Sequence, residues 1–137
     1  MARPRNFEED TVVAQAADVF ARMGYNGASV DELVAATGLQ RGSIYKAFGS
    51  KRNLFERVLA RALAPGWASR SSSIDLLIVA LKELVPGDPA ITALCRAAVA
   101  ESGADTAGIL GGRLLEHIHA APSLAAPSLA TPSLATP

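Results

Sequence analysis

Apolar residues recur along this chain at helical spacing, and each run is closed by glycine or proline. The first stripe is Val12, Val13, Ala16, Ala17, Val19, Phe20 and Met23. No glycine or proline falls between Asn6 and Arg22, and Gly24 follows the stripe. The spacing predicts a helix over about 7–23, with Asn6 and Glu9 as its capping box. Ser29-Val30-Asp31-Glu32 is a second capping-box pattern, and Gly38 limits the helix after it to about two turns. A third helix over about 40–47 is broken by Gly49-Ser50. A fourth, over about 51–63, carries Leu54, Phe55, Val58, Leu59, Ala62 and Leu63 and closes at Pro65-Gly66.

A polar linker is expected at Ala68 to Ser73. Beyond it, Ile74, Leu77, Ile78, Leu81, Leu84 and Val85 form an amphipathic stripe, ended by Pro86-Gly87. Asp88-Pro89 starts the next helix, with Asp as N-cap and Pro in the first turn; its stripe is Ile91, Leu94, Cys95, Ala98 and Val99. A last helix over about 105–119 carries Ile109, Leu110, Leu114, Leu115 and Ile118. Gly108, Gly111 and Gly112 weaken it, unless they permit close helix contact. Strand-like alternation is absent, so the chain reads as all-α. The segment PSLAAPSLATPSLATP, Pro122 to Pro137, places a proline at every fifth residue, forbids a regular helix and reads as disordered. The expected divisions are 6–66, 67–120 and a tail at 121–137.

The 137 residues carry 13 Lys/Arg and 13 Asp/Glu, so formal net charge is zero. The charge is unevenly placed. Residues 1–64 hold nine bases and seven acids, a balance of +2; the remainder holds four and six, a balance of −2. Leu33 to Phe55 contains Arg41, Lys46, Lys51 and Arg52 and no acid. A solvated face is the simplest reading of such a run. The single cysteine, Cys95, excludes an internal disulfide and fits a reducing compartment. No apolar run approaches the roughly 18 residues of a membrane span, and MARPRNFEED has no apolar signal core. A cytoplasmic protein is expected.

The two short helices around Thr37-Gly38-Leu39 have the spacing of a helix-turn-helix over 29–48. The second is too short to be stable alone. Ile44, Ala47 and Phe48 are expected to pin it to its neighbours, leaving Gln40, Arg41, Ser43, Tyr45 and Lys46 outward. In such a pair the second helix enters the major groove while the first braces it. Gln and Arg read adenine and guanine edges; Ser, Tyr and Lys suit phosphates. Lys51 opens the fourth helix, where the helix dipole disfavours a cation and a nearby phosphate would offset that.

The stretch SVDELVAATGLQRGSIYKAFGSKRNLF resembles the DNA-binding domain of the TetR/AcrR family of bacterial transcriptional regulators. The likeness runs from about Phe7 to Leu63, and its core is Gly42, Tyr45, Phe48, Ser50 and Lys51. The resemblance implies that Ser29 contacts phosphate, that Arg41, Ser43 and Lys46 face the groove, and that Tyr45 and Lys51 grip the backbone. Val34 and Thr37 replace the usual alanines, and Gln40 replaces a Ser or Thr, which weakens the cap. Arg52 stands where an acid is usual and adds a possible phosphate contact. The resemblance further implies a dimeric repressor on a palindromic double-stranded operator. The alternative is a helical interaction protein that pairs with another regulator.

Family members usually carry five or six further helices, which build an effector pocket and a dimer face; about three are expected here. That leaves little room for a drug-sized cavity of roughly 300 Å3, so a small-molecule effector is doubtful. The stripes at 74–85 and 105–119 are more apolar surface than a small monomer is expected to bury and are the expected homodimer surfaces; a purely intramolecular core is the alternative. His117 and His119 lie two apart on a helix and poorly chelate a metal. Cys95 reads as inert core, and Trp67 as a cover for the core. Neither a nucleophile–base pair nor a phosphate-cradling glycine loop is evident, and no enzyme or cofactor is expected.

Overall fold

The computed structural model describes residues 5–103 and 105–120, with side chains from Glu8 onward. These residues form seven α-helices: α1 (Arg5–Met23), α2 (Val30–Thr37), α3 (Arg41–Phe48), α4 (Lys51–Ala62), α5 (Ser71–Glu83), α6 (Pro89–Ser102) and α7 (Thr106–Ala120), with a 3-10 turn at Trp67–Ser69. Among the described residues there is no strand. Helix α1 begins before Asn6, so Asn6 is not its N-cap. Glu9 instead bonds Arg57 of α4 at 2.7 Å. The repeat tail lies outside the described residues.

The local signals act where their chemistry predicts. Ser29 Oγ accepts from the Glu32 N–H at 3.1 Å, Ser50 Oγ from Asn53 at 3.0 Å, and Asp88 Oδ1 from Ile91 at 3.1 Å. Each satisfies one of the donors a helix start leaves open. Gly38 closes α2 with a φ of 76°, a left-handed conformation that a side chain would strain, and its N–H bonds the Val34 carbonyl at 2.9 Å.

One apolar core runs from α1 through α6. Ala16, Val19, Phe20, Leu33, Ile44, Leu54, Phe55, Val58, Leu59, Trp67, Leu76, Leu77 and Ile91 are among its least exposed members. Helix α4 packs on α1, α3, α5 and α6, so one element touches both halves of the chain. The Phe55 ring stands edge-on to Phe20 and Tyr25, with centroids 5.0 Å and 5.3 Å away. Trp67 covers the core as expected, and its Nε1–H donates to the Ala98 carbonyl at 3.1 Å. Cys95 is buried, and burial pushes its thiol up to about 11, away from reactive thiolate.

Three local expectations are corrected. The linker at 68–73 is ordered: it contains the 3-10 turn and the first turn of α5, and Ser73 is buried. Arg70 explains why. Its guanidinium folds back on the carbonyls of Ala62 and Ala64, both at 3.2 Å, and its Nε–H reaches Ser73 Oγ at 3.3 Å. One cation thus satisfies the open carbonyls at the end of α4 and the polar side chain entering α5. Secondly, the α5 stripe is not a surface. Residues 76–80 are consecutively buried, because α1, α4, α6 and α7 pack around this helix. Thirdly, Gly111 and Gly112 permit no close helix contact among the described residues, since none of these lies within 4 Å of where their Cβ atoms would stand.

Candidate nucleic-acid interface

Helix α2 holds α3 by its buried side. Thr37 Oγ1 donates to the Leu33 carbonyl at 2.7 Å and accepts from the Leu39 N–H at 3.2 Å, which shapes the turn between them. Ile44 and Phe48 are buried, Leu39 and Ala47 pack against the same core, and the Arg57 guanidinium lies 5.6 Å from the Phe48 ring centroid. Those contacts decide which face of α3 remains outside. Gln40, Arg41, Gly42, Ser43, Tyr45 and Lys46 are all exposed. Gln40 is the N-cap of α3 and makes no side-chain capping bond. Ser29 is exposed at the start of α2.

The expected cations have divided employment. Lys46 is exposed and makes no ion pair among the described residues. Arg41 bonds Asp31 of α2 at 2.6 Å, where both side chains are open to solvent. Lys51 turns inward: its Nζ donates to the Ala28 carbonyl at 2.8 Å and lies 4.5 Å from the Tyr25 ring centroid. Burial holds its pKa below the usual lysine value, partly offset by Glu83. Arg52 is engaged through all three nitrogens. Its Nε and Nη2 fork onto the Asp88 carboxylate, each at 2.7 Å, while Nη1 meets Glu56 and Asn53. The basic surface is therefore thinner than the acid-free window suggests.

Sequence spacing did not show what these inward cations hold. Lys51 ties the start of α4 to the loop before α2, and Glu83 of α5 accepts from the Asn26 N–H in that loop at 2.7 Å. Arg52 ties α4 to the N-cap of α6, 36 residues away. Charge content marks such residues as candidates for pairing, but the partners are set by how the helices cross.

The Arg52–Asp88 fork has a measurable pH signature. The hydrogen bonds from Arg52, and then the Ile91 N–H, hold the Asp88 carboxyl down to about 2 from its usual 3.8. The unfolded chain binds this proton more readily, so the contribution is whole above the unfolded value and is lost as pH falls through the folded one. Asp88→Asn can still cap α6 but cannot form the ion pair. Urea unfolding from about pH 6 to about pH 2 is expected to show the variant less stable at the upper end, with the gap closing toward the lower. A gap that stays constant over that range would count against the pairing.

Elsewhere, Asp75 of α5 receives a forked bond from Arg113 of α7, at 2.7 Å and 2.8 Å, with His117 Nε2 at 3.5 Å. His119 is exposed. Among the described residues, no group of three or more metal-ligating side chains gathers, and no helix is long and apolar enough to cross a membrane. An apolar hollow of about 370 Å3 between α5 and α6, lined by Leu81, Val85, Cys95 and Val99, is open to the surface.

Known proteins resemble this chain in sequence. The HTH-type transcriptional repressor BdcR of Escherichia coli is 30% identical over 118 residues, covering 86% of this chain and 56% of that protein. The HTH-type transcriptional repressor AcnR of Corynebacterium glutamicum is 43% identical over 53 residues, 39% of this chain and 28% of that protein. An uncharacterized HTH-type transcriptional regulator of Bacillus subtilis, YezE, is 38% identical over 55 residues, 40% of this chain and 28% of its own. The chain thus spans about half of one relative and just over a quarter of the others. All three are named as regulators of transcription, not as enzymes. Residues 12–58, from α1 to α4, match the family described as bacterial regulatory proteins, tetR family, and the helix-turn-helix domain of this chain belongs to that family.

Proposed function

We propose that this chain is a sequence-specific DNA-binding transcriptional regulator, a repressor that occupies a palindromic operator as a dimer in the cytoplasm. The observation that carries the reading is the outer face of α3: Gln40, Arg41, Ser43, Tyr45 and Lys46 stand exposed together, on a helix whose other side is locked into the core. In this reading α3 enters the major groove. Arg41 and Gln40 read base edges, while Ser43, Tyr45 and Lys46 meet phosphates and Gly42 admits the backbone closely. Ser29 and the amide groups at the start of α4 anchor phosphates from either side. Lys51 and Arg52 act by holding α4 in place. The working division is a reading domain at 6–66 and a helical remainder at 67–120.

Dimerisation is supported by α7. It buries none of its residues fully, and Leu114, Leu115 and Ile118 are 46%, 60% and 68% exposed. Such a face suits a second copy, and two reading heads suit a two-fold operator. The same face also favours a second reading, an interaction protein that pairs with another regulator. For an effector, the open hollow between α5 and α6 offers an apolar lining.

The test is a titration of the purified protein against duplexes from its own upstream region and a scrambled control, at several salt concentrations. Binding to one duplex above the control is expected. A log–log salt slope of about −4 or steeper would correspond to several phosphate contacts. A folded protein that binds no duplex at low salt would overturn the regulator reading and leave the interaction protein.

A further inference from the structure

We propose that Asp31 is a positioning residue for base reading, holding the Arg41 guanidinium toward the groove and away from phosphate. This rests on the DNA-binding reading above. Arg41 is the first residue of α3, and its Nη2 bonds Asp31 Oδ1 at 2.6 Å across the helix-turn-helix, ten residues back along the chain. Asp31 lies in the first turn of α2, two residues after the proposed phosphate anchor Ser29. A carboxylate at that place repels the duplex backbone, whatever the sequence. Four acids of α1 and α4 lie against cations of α1 and α4: Glu9 with Arg57, Asp10 with Arg61, Asp18 with Arg22, Glu56 with Arg52. Among the described residues, only Asp31 pairs with a residue of the reading helix.

The geometry gives that pair a use. Asp31 engages one terminal nitrogen of Arg41, which leaves the Nη1 and Nε donors for a further acceptor. An arginine free to swing would settle on the nearest phosphate and contribute to all sequences alike. An arginine held at one end, beside a charge that keeps phosphates off, keeps its remaining donors for the paired acceptors of a guanine edge. Both side chains are more than half exposed, so the pair is weak and a better acceptor can reshape it.

The test compares the wild type, Asp31→Asn, Arg41→Ala and the double variant. Each is used to select bound duplexes from a random pool, and each is titrated against the selected and a scrambled duplex. Asp31→Asn is expected to bind the scrambled duplex about threefold to tenfold more tightly, since one repulsive charge is gone. It is also expected to lose about tenfold of its preference at one base pair per half-site. In the Arg41→Ala background, the same change should raise scrambled binding but leave base preference unaltered. Equal tightening on every sequence with preference intact would reduce Asp31 to a simple repulsion and overturn the proposal. So would an equal loss of preference without Arg41. A wild type that enriches no sequence overturns the DNA-reading function itself, and this role with it, a result distinct from the other two.

Discussion

Replacing Arg41 and Lys46 together by alanine is expected to lower affinity for the selected duplex by about 100-fold and to flatten the log–log salt slope, by roughly 0.9 for each phosphate no longer neutralised. The helical circular-dichroism spectrum and thermal midpoint should stay near those of the wild type. The reasoning is the distribution of work among the cations. Both residues are exposed on α3, Lys46 makes no ion pair among the described residues, and Arg41 holds only a solvent-exposed one. Neither supports the core, so their removal is read almost wholly in binding. Lys51→Ala makes the informative contrast. Its amine satisfies the Ala28 carbonyl and sits over Tyr25, so its loss should lower stability as well as affinity. If the paired variant binds as tightly as the wild type, the outer face of α3 does not touch DNA.

Phe55→Ala is expected to have the largest effect on the fold, costing about 3–5 kcal/mol. Phe55 is fully buried at the junction of Phe20 and Tyr25, and it belongs to the helix that packs against both halves of the chain. Against a total stability of about 5–15 kcal/mol for a domain, that loss is a large fraction. Urea unfolding followed by circular dichroism measures it directly. Leu115→Ala removes a smaller apolar group from a position 60% exposed, and is expected to shift stability by less than about 0.5 kcal/mol in the monomer. If the face of α7 is a dimer surface, the same variant lowers the sedimentation coefficient at fixed concentration. A loss near 1 kcal/mol or less for Phe55→Ala would mean that the aromatic cluster packs more loosely than described.

The linear pattern carried much of the fold. Helical period, serine and aspartate caps and glycine stops are local effects, acting over one or two turns. They therefore place α2, α3, α4 and the start of α6 to within a residue or so of what is observed. The outward set on α3 was legible for the same reason: Ile44, Ala47 and Phe48 define the core side, and Gln40, Arg41, Ser43, Tyr45 and Lys46 face away. Where the expectation failed, a distant partner had intervened. Ser71 to Ser73 look like linker because they are polar, but Arg70 neutralises the helix end beside them and draws them into α5. The α5 stripe looks amphipathic, yet five neighbouring residues are covered because other helices surround it.

The sequence by itself determined an all-helical chain, the helix-turn-helix and the residues of α3 available outside, since periodicity and capping are properties of neighbours along the chain. Only the tertiary structure decided which cations remain for a ligand. Lys51 and Arg52 share an acid-free window with Arg41 and Lys46, and nothing in that window separates them. They part company because the helix crossings bring Ala28 and Asp88 within hydrogen-bonding reach of one pair, while the other stands on the outer face of α3. Charge is written locally, but its partner is chosen by packing.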